Sequence, residues 1–399
     1  MRINYKSFLE FLKTGAIGGI ILLVCVVFSL LIANSGWNTG FQALLDKKMG
    51  FENDNIHLRY SLLLWVNDGL MAIFFLLVGL EIKRELMEGE LSTPKRASLP
   101  VLAAFGGALV PALIFLIFNY DSPAINGWGI PMATDIAFAI GILSLLGKRV
   151  PPSLKIFLAA LAIVDDLIAI LVIAIFYSSG LNGTNLLIAA GLFLLMVIFN
   201  RLKVKALIAY LVPGVLMWYF VHHSGIHATI AGVLTAITIP TTKDATESPL
   251  EKLEHLLSRP VNYFIMPLFA IANTNIRIEP VMFDGLVSSM SLGILVGLVL
   301  GKPIGITLMS WLIVRLRIGE LPGKATWGHI VGLGLLGGIG FTMSIFISIL
   351  SYSDPSMQTE AKFAILLSSI IAGVAGFVLL SSLNKKSRRL SHPAENLPG

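Results

Sequence analysis

Five ionisable side chains stand in or beside long apolar stretches: Asp68, Asp135, Asp165, Asp166 and Lys302. An ionisable group at membrane depth is costly, which makes each a candidate for chemistry. Asp165 and Asp166 sit at the centre of Ala159-Ala-Leu-Ala-Ile-Val-Asp-Asp-Leu-Ile-Ala-Ile170, which is otherwise wholly apolar. Neighbours on a helix project about 100° apart, so one carboxylate can face an ion cavity while the other meets a partner on an adjacent helix. Two carboxylates in a poorly solvated site cannot both ionise cheaply, because desolvation and mutual repulsion favour the neutral form. Such a pair can hold protons, or a hard cation such as sodium that prefers oxygen ligands. Competition for the same oxygens would couple the two. The alternative is a purely structural carboxylate pair.

Lys302, in Leu298-Val-Leu-Gly-Lys-Pro-Ile-Gly305, needs a counter-charge. An aspartate on a packed helix is the economical one, and the expectation is an Asp165–Lys302 pair that opens when a cation binds. Lys302 could instead serve the C-termini of broken helices. Asp135 closes Gly127-Trp-Gly-Ile-Pro-Met-Ala-Thr-Asp135, where it would balance helix N-termini, with the Thr134 hydroxyl beside it. Gly332-Leu-Gly-Leu-Leu-Gly-Gly-Ile-Gly340, followed by Phe-Thr-Met-Ser, loads a second run with glycine. Paired Gly- or Pro-broken segments point to a transport site, and close helix packing is the competing account of the glycines. Asp68, in Trp65-Val-Asn-Asp-Gly69, is either an ion funnel or a solvated N-terminal residue. Glu81, Arg84 and Glu85 share one helix face, and Glu251, Glu254 and His255 gather before a later helix. Together they form either a surface ion-pair network or a proton-responsive gate.

The elements that must position these groups follow from composition. Of 399 residues, 56% are hydrophobic and 13% charged, against about 25% charged in soluble domains. A mean hydropathy of +0.84 makes lipid the expected solvent. The fold class is therefore an all-α polytopic membrane protein. A membrane helix takes about 20 apolar residues. Candidate runs lie near 12–34, 60–86, 96–118, 124–146, 151–177, 182–200, 205–221, 224–240, 256–274, 286–314, 327–351 and 360–382, about twelve in all. The fourth and eleventh carry the expected breaks, near 127–136 and 332–342. The first run resembles a signal peptide, but without a charge between Thr14 and Leu45 it reads as a retained helix.

Basic residues fall in alternate loops, at Lys83 to Arg96, Lys148 and Arg149, Arg201 to Lys205, Lys243 and Arg259, Arg315 to Lys324, and Lys385 to Arg389. The positive-inside rule then puts both termini in the cytoplasm. The net charge of +6 is clustered between apolar runs, not spread along one face, which favours lipid over nucleic acid as partner. Residues 37–59 form the longest polar loop, an irregular segment or an extracytoplasmic β-hairpin near 40–58. Residues 383–399, basic and proline-containing, read as a disordered cytoplasmic tail on a single 1–399 domain whose bundle spans 12–382. Cys25 is the only cysteine, which excludes an internal disulfide.

Several motifs together resemble the NhaA family of sodium/proton antiporters across nearly the whole chain: Asn67 to Leu86, Gly129 to Phe138, Leu161 to Leu167, His227-Ala-Thr-Ile-Ala-Gly-Val233, Gly301-Lys-Pro303 and Gly337 to Ser344. The resemblance implies inverted-topology repeats, an architecture for which this family is an established example. It implies an ion site of Asp165 and Asp166, the seat of Na+, with Thr134 and Asp135 at crossing broken helices and Lys302 balancing charge. It further implies electrogenic exchange of Na+ or Li+ for H+ across a bacterial inner membrane, pH activation through Glu81, Arg84, Glu85, Glu254 and His255, modulation by His227, and a homodimer joined through the outer hairpin. Ser258 stands where some relatives carry histidine, which bears on the pH set-point. No cofactor is implied beyond the transported ions.

Rival classes fare worse. An intramembrane aspartyl protease needs its aspartates on different helices and a Gly-x-Gly-Asp signature, and a metalloprotease needs His-Glu-x-x-His; neither motif is present. A secondary transporter is thus expected in place of an enzyme. The alternative transporter is a proton-coupled solute symporter, which would need a large polar or aromatic pocket.

Overall fold

The computed structural model describes residues 5–391 apart from 55, 148–149, 179, 242–247 and 324. Lys148, Arg149, Lys243, Lys324 and the 392–399 part of the expected tail lie outside the described residues. Among the described residues, six helices are long and apolar enough to cross a membrane: Leu62–Met87, Pro94–Asn119, Pro152–Phe176, Gly183–Arg201, Ser289–Arg315 and Pro355–Leu383. Three bent pairs raise this to as many as nine: Ile17–Ala33 with Asn38–Asp46, Pro123–Met132 with Ile136–Leu145, and Trp327–Gly337 with Phe341–Ser351. The other expected runs are shorter helices. Ile208–His222 has 15 residues, Ile230–Thr238 has nine, and Pro249–Pro260 and Met266–Asn273 flank a wider-register break.

That break is one of three π-turns, at Trp65–Leu70, Val261–Ile265 and Gly297–Gly301. After each, a backbone N–H reaches five residues back: Met71 to Val66, Met266 to Val261 and Lys302 to Gly297. A π-turn holds one residue more than the α-helix needs and is common at functional sites. The polar loop forms two short antiparallel ladders, Lys48–Met49 with Tyr60–Ser61 and Glu52–Asn53 with Ile56–His57. The hairpin thus occupies 48–61, later than the 40–58 expected, because Asn38–Asp46 is helical.

By internal contacts the chain divides into two compact units. One comprises Ile20–Ser92 and Ala169–Pro280. Its core is apolar, with Leu80, Met196, Tyr210, Met217, Ile239 and Leu253 buried together. Lys83 donates to the carbonyls of Ile237 (2.6 Å) and Ile239 (2.5 Å), and Asn200 to that of Thr238 (2.7 Å). These donors serve the orphan carbonyls at the end of Ile230–Thr238, a task the sequence reading of Lys83 as a loop charge did not anticipate.

The other unit contains Thr93–Ile168 and the chain from Val281 onward, and holds two of the bent pairs, Pro123–Met132 with Ile136–Leu145 and Trp327–Gly337 with Phe341–Ser351. Pro131, which cannot donate a backbone N–H, ends the first half, and Ala133 and Asp135 are extended. The bend is 43°. In the second pair the Gly337-Gly-Ile-Gly340 stretch interrupts the helix with a bend of 47°. Close approach explains a glycine of the helix before it, Trp327–Gly337: a Cβ on Gly334 would lie 2.7 Å from the Pro303 Cα.

Candidate functional site

The two breaks leave carbonyls without intrahelical partners, and each must find a donor. Thr134 donates its hydroxyl to the Gly337 carbonyl at 2.7 Å, and the Asp135 N–H donates to Ile339 at 2.6 Å. Ser344 returns a hydroxyl to Ile130 at 2.7 Å, and Lys302 donates its ammonium to Met132. The breaks therefore hold each other through polar groups.

Asp135 closes the arrangement. Its Oδ1 accepts the Phe138 N–H at 3.0 Å, which caps Ile136–Leu145. Its Oδ2 accepts the Thr342 N–H at 3.2 Å and the Thr342 hydroxyl at 2.5 Å. One buried carboxylate thus meets the N-terminal ends of the second halves of both broken pairs, where the helix dipole favours an anion. This is the position expected for Asp135. Thr342 and Ser344 were missed; the signal was available in the hydroxyls at i and i+2 beyond the glycine run.

Asp165 is 1% exposed and Lys302 is fully buried. The ammonium lies 2.9 Å from Oδ1 and 2.7 Å from Oδ2. The helix carrying Asp165, Pro152–Phe176, makes this enclosure possible, since Leu154, Leu158, Leu161 and Ala162 on it are buried. Thr134 faces the same carboxylate with its hydroxyl and its backbone N–H. Asp166, 4% exposed, is the next residue on that helix and lies within electrostatic reach of Lys302. Lys302 follows directly on the π-turn at Gly297–Gly301. The structure therefore brings Thr134, Asp135, Asp165, Asp166 and Lys302 into one unit around the two breaks. Oxygen-rich, enclosed and held by one ammonium, the arrangement can exchange that ammonium for a hard cation or a proton.

Residues 9–380 match the model of the family described as Na+/H+ antiporter 1. The chain belongs to this Na+/H+ antiporter family. It is 63% identical to Na(+)/H(+) antiporter NhaA 2 of Flavobacterium johnsoniae, over 97% of this chain and 95% of that protein. It is 50% identical to Na(+)/H(+) antiporter NhaA of Flavobacterium psychrophilum, over 95% and 97% respectively. The protein of the same name in Citrobacter koseri is 46% identical over 93% of this chain and 97% of its own length.

The remaining titratable residues expected of this antiporter family member lie in the unit of Ile20–Ser92 and Ala169–Pro280. Arg84 Nε binds both oxygens of Glu254, at 3.0 and 2.9 Å, and Nη1 binds Glu85 at 2.8 Å. Glu81 is buried within electrostatic reach of all three. Burial raises the Glu254 carboxyl above the ordinary glutamate range even against the attraction of Arg84. His255 is exposed and reaches Glu254 only electrostatically. Glu251, grouped with them by sequence, is engaged elsewhere: with Ser248 it forms a capping box at Pro249–Pro260, through bonds of 3.0 and 3.3 Å.

Asp68 lies within the π-turn, not at a solvated helix start, and pairs with His222 at 3.2 Å. His227 is within electrostatic reach of both. Asn67 and Asn273 exchange amide hydrogen bonds of 3.3 and 2.7 Å beside it, a buried pair that a separation of 206 residues hides from any local pattern.

Proposed function

We propose that this chain exchanges Na+ or Li+ for H+ electrogenically by alternating access, with both ions competing for Asp165 and Asp166. The observation that carries the reading is the fully buried ammonium of Lys302 on the Asp165 carboxylate. A buried pair of this kind is worth little as a stabiliser, since its attraction barely repays desolvation, and is better explained as a site awaiting a competing cation. Sodium enters from the inner side onto the two carboxylates and displaces the ammonium, which keeps the Met132 carbonyl as its acceptor. Protons taken from the outer side neutralise the carboxylates and return the site. Because the two ions exclude each other, raising either weakens binding of the other by the same factor.

In this reading Thr134 and Asp135 hold the two breaks in register, and Asp68 lines the outer approach. Glu81, Arg84, Glu85, Glu254, His255 and His227 adjust activity to pH. The protein resides in a bacterial inner membrane as a twelve-helix homodimer surrounded by lipid, both termini cytoplasmic, with its outer hairpin at the dimer contact.

Proteoliposomes loaded with a proton gradient provide the test. Na+ and Li+ should collapse the gradient while K+ and choline leave it, and Asp166→Asn should be silent. Proton movement that ignores sodium and follows an organic solute would replace this reading with a solute symporter.

A further inference from the structure

The hairpin at 48–61 is joined to the end of Ile208–His222 by a chain of hydrogen bonds whose proton count can be worked out. Tyr60 Oη lies 2.6 Å from the His57 carbonyl, which can only accept, so the phenol proton points there. The same oxygen lies 3.2 Å from His223 Nε2. With its proton committed there, the phenol can only accept, so a bond between the two then requires a hydrogen on Nε2. On the other side of the ring, Nδ1 lies 2.8 Å from the Tyr219 carbonyl, again only an acceptor. Both ring nitrogens carry hydrogens only in the imidazolium ion.

We propose that His223 is a proton-operated clamp, which ties Tyr60 and His57 of the hairpin to the end of Ile208–His222 when charged and releases the His57 carbonyl when neutral. In the neutral ring Nδ1 keeps its hydrogen for Tyr219, Nε2 is bare, and the Tyr60 proton turns to it and leaves His57. The bond matters because Tyr60 belongs to one ladder, opposite Met49, and His57 to the other, opposite Glu52.

A helix end and charged groups surround the ring. His223 is the C-cap of Ile208–His222, where the helix dipole attracts a cation. Asp68, from the Leu62–Met87 helix, and Glu52, from the hairpin, supply negative charge, each acting on Tyr60. His222, His227, His57 and Arg59 are the opposing groups: His222 pairs with Asp68, and His57 and Arg59 with Glu52, each of the latter at 3.9 Å. Burial raises the Tyr60 phenol, so it keeps its proton over the range in which histidines titrate.

Hydrogen exchange of the peptide covering 51–60 in the full-length protein tests the clamp. After correction for intrinsic rates, opening should be about tenfold rarer near pH 5.5 than near pH 8, the difference between a charged and a neutral donor. His223→Gln should abolish the pH dependence, and His222→Gln, which removes the Asp68 partner and the ring packed against Tyr60 and His223 but none of the bonds of the clamp, should keep it. Nitrogen-15 spectra of the native protein should give His223 protonated on both nitrogens at acid pH and on Nδ1 alone at alkaline pH, a readout that survives if His223→Gln fails to fold. Equal protection at both pH values overturns the clamp. So does a dependence retained by His223→Gln, one lost only in His222→Gln, or an alkaline Nε2–H tautomer.

Discussion

The carboxylates around the two breaks and those around Arg84 are built on different principles. At the breaks, partners come from segments far apart in sequence: 137 residues separate Asp165 from Lys302, and 207 separate Asp135 from Thr342. Asp135, Asp165 and Lys302 each have fixed partners, and all three are buried. The Arg84 side chain is 30% exposed, and Glu85 is its immediate neighbour in sequence. Three carboxylates share one cation there. A proton gained or lost can be absorbed by re-pairing in the second region, whereas in the first any change must move a helix end. In the function proposed, the first region selects the ion and the second grades the response.

The largest expected effect breaks the first region. Lys302→Gln leaves Asp165 buried without a counter-charge, which costs about 3–5 kcal/mol. Sodium-driven proton flux should be lost and the melting temperature in detergent should fall. Native flux in this variant would reduce Lys302 to a partner of helix ends. A smaller effect should come from Thr342→Val, which removes the hydroxyl donor 2.5 Å from Asp135 at about 1–3 kcal/mol. Weaker apparent sodium affinity, with recovery in Thr342→Ser, would tie the hydroxyl to the geometry of the breaks; unchanged affinity would leave it structural.

The smallest effect sharpens the second region. The raised Glu254 carboxyl contributes stability that is fully present below the ordinary glutamate value, about pH 4.3, and is lost as pH rises through its raised value. Glu254→Gln stays neutral, so the decline of melting temperature with rising pH should flatten and the flux profile should shift by a few-fold at most. Curves that superimpose on those of the native chain would remove Glu254 from the pH response.

Much of the first region was legible because its residues violate a simple rule: charge, proline and glycine do not belong in apolar runs. Asp135, Asp165, Asp166 and Lys302 announce themselves that way. Their partners do not. Thr342, Ser344 and the Met132 carbonyl act through bonds between distant segments, and a hydroxyl or a carbonyl in an apolar run is unremarkable by type. The second region misled in the opposite sense. Glu251 looked equivalent to Glu254, but its spacing from Ser248 is that of a capping box, a local signal overlooked beside the charge cluster. His222 carried no signal until its ring was seen against Asp68. The hairpin start was misplaced because Asn38–Asp46 is polar enough to read as loop yet folds as helix.

The π-turn at Gly297–Gly301 gives Lys302 its direction by phase as much as by contact. One supernumerary residue delays every later side chain of Ser289–Arg315 by about 100° relative to an unbroken helix. Lys302 is the first to take the new azimuth. Length is therefore itself encoded information in this helix: a chain one residue shorter at 297–301 could preserve every apolar residue downstream and still aim its one ammonium at the wrong wall.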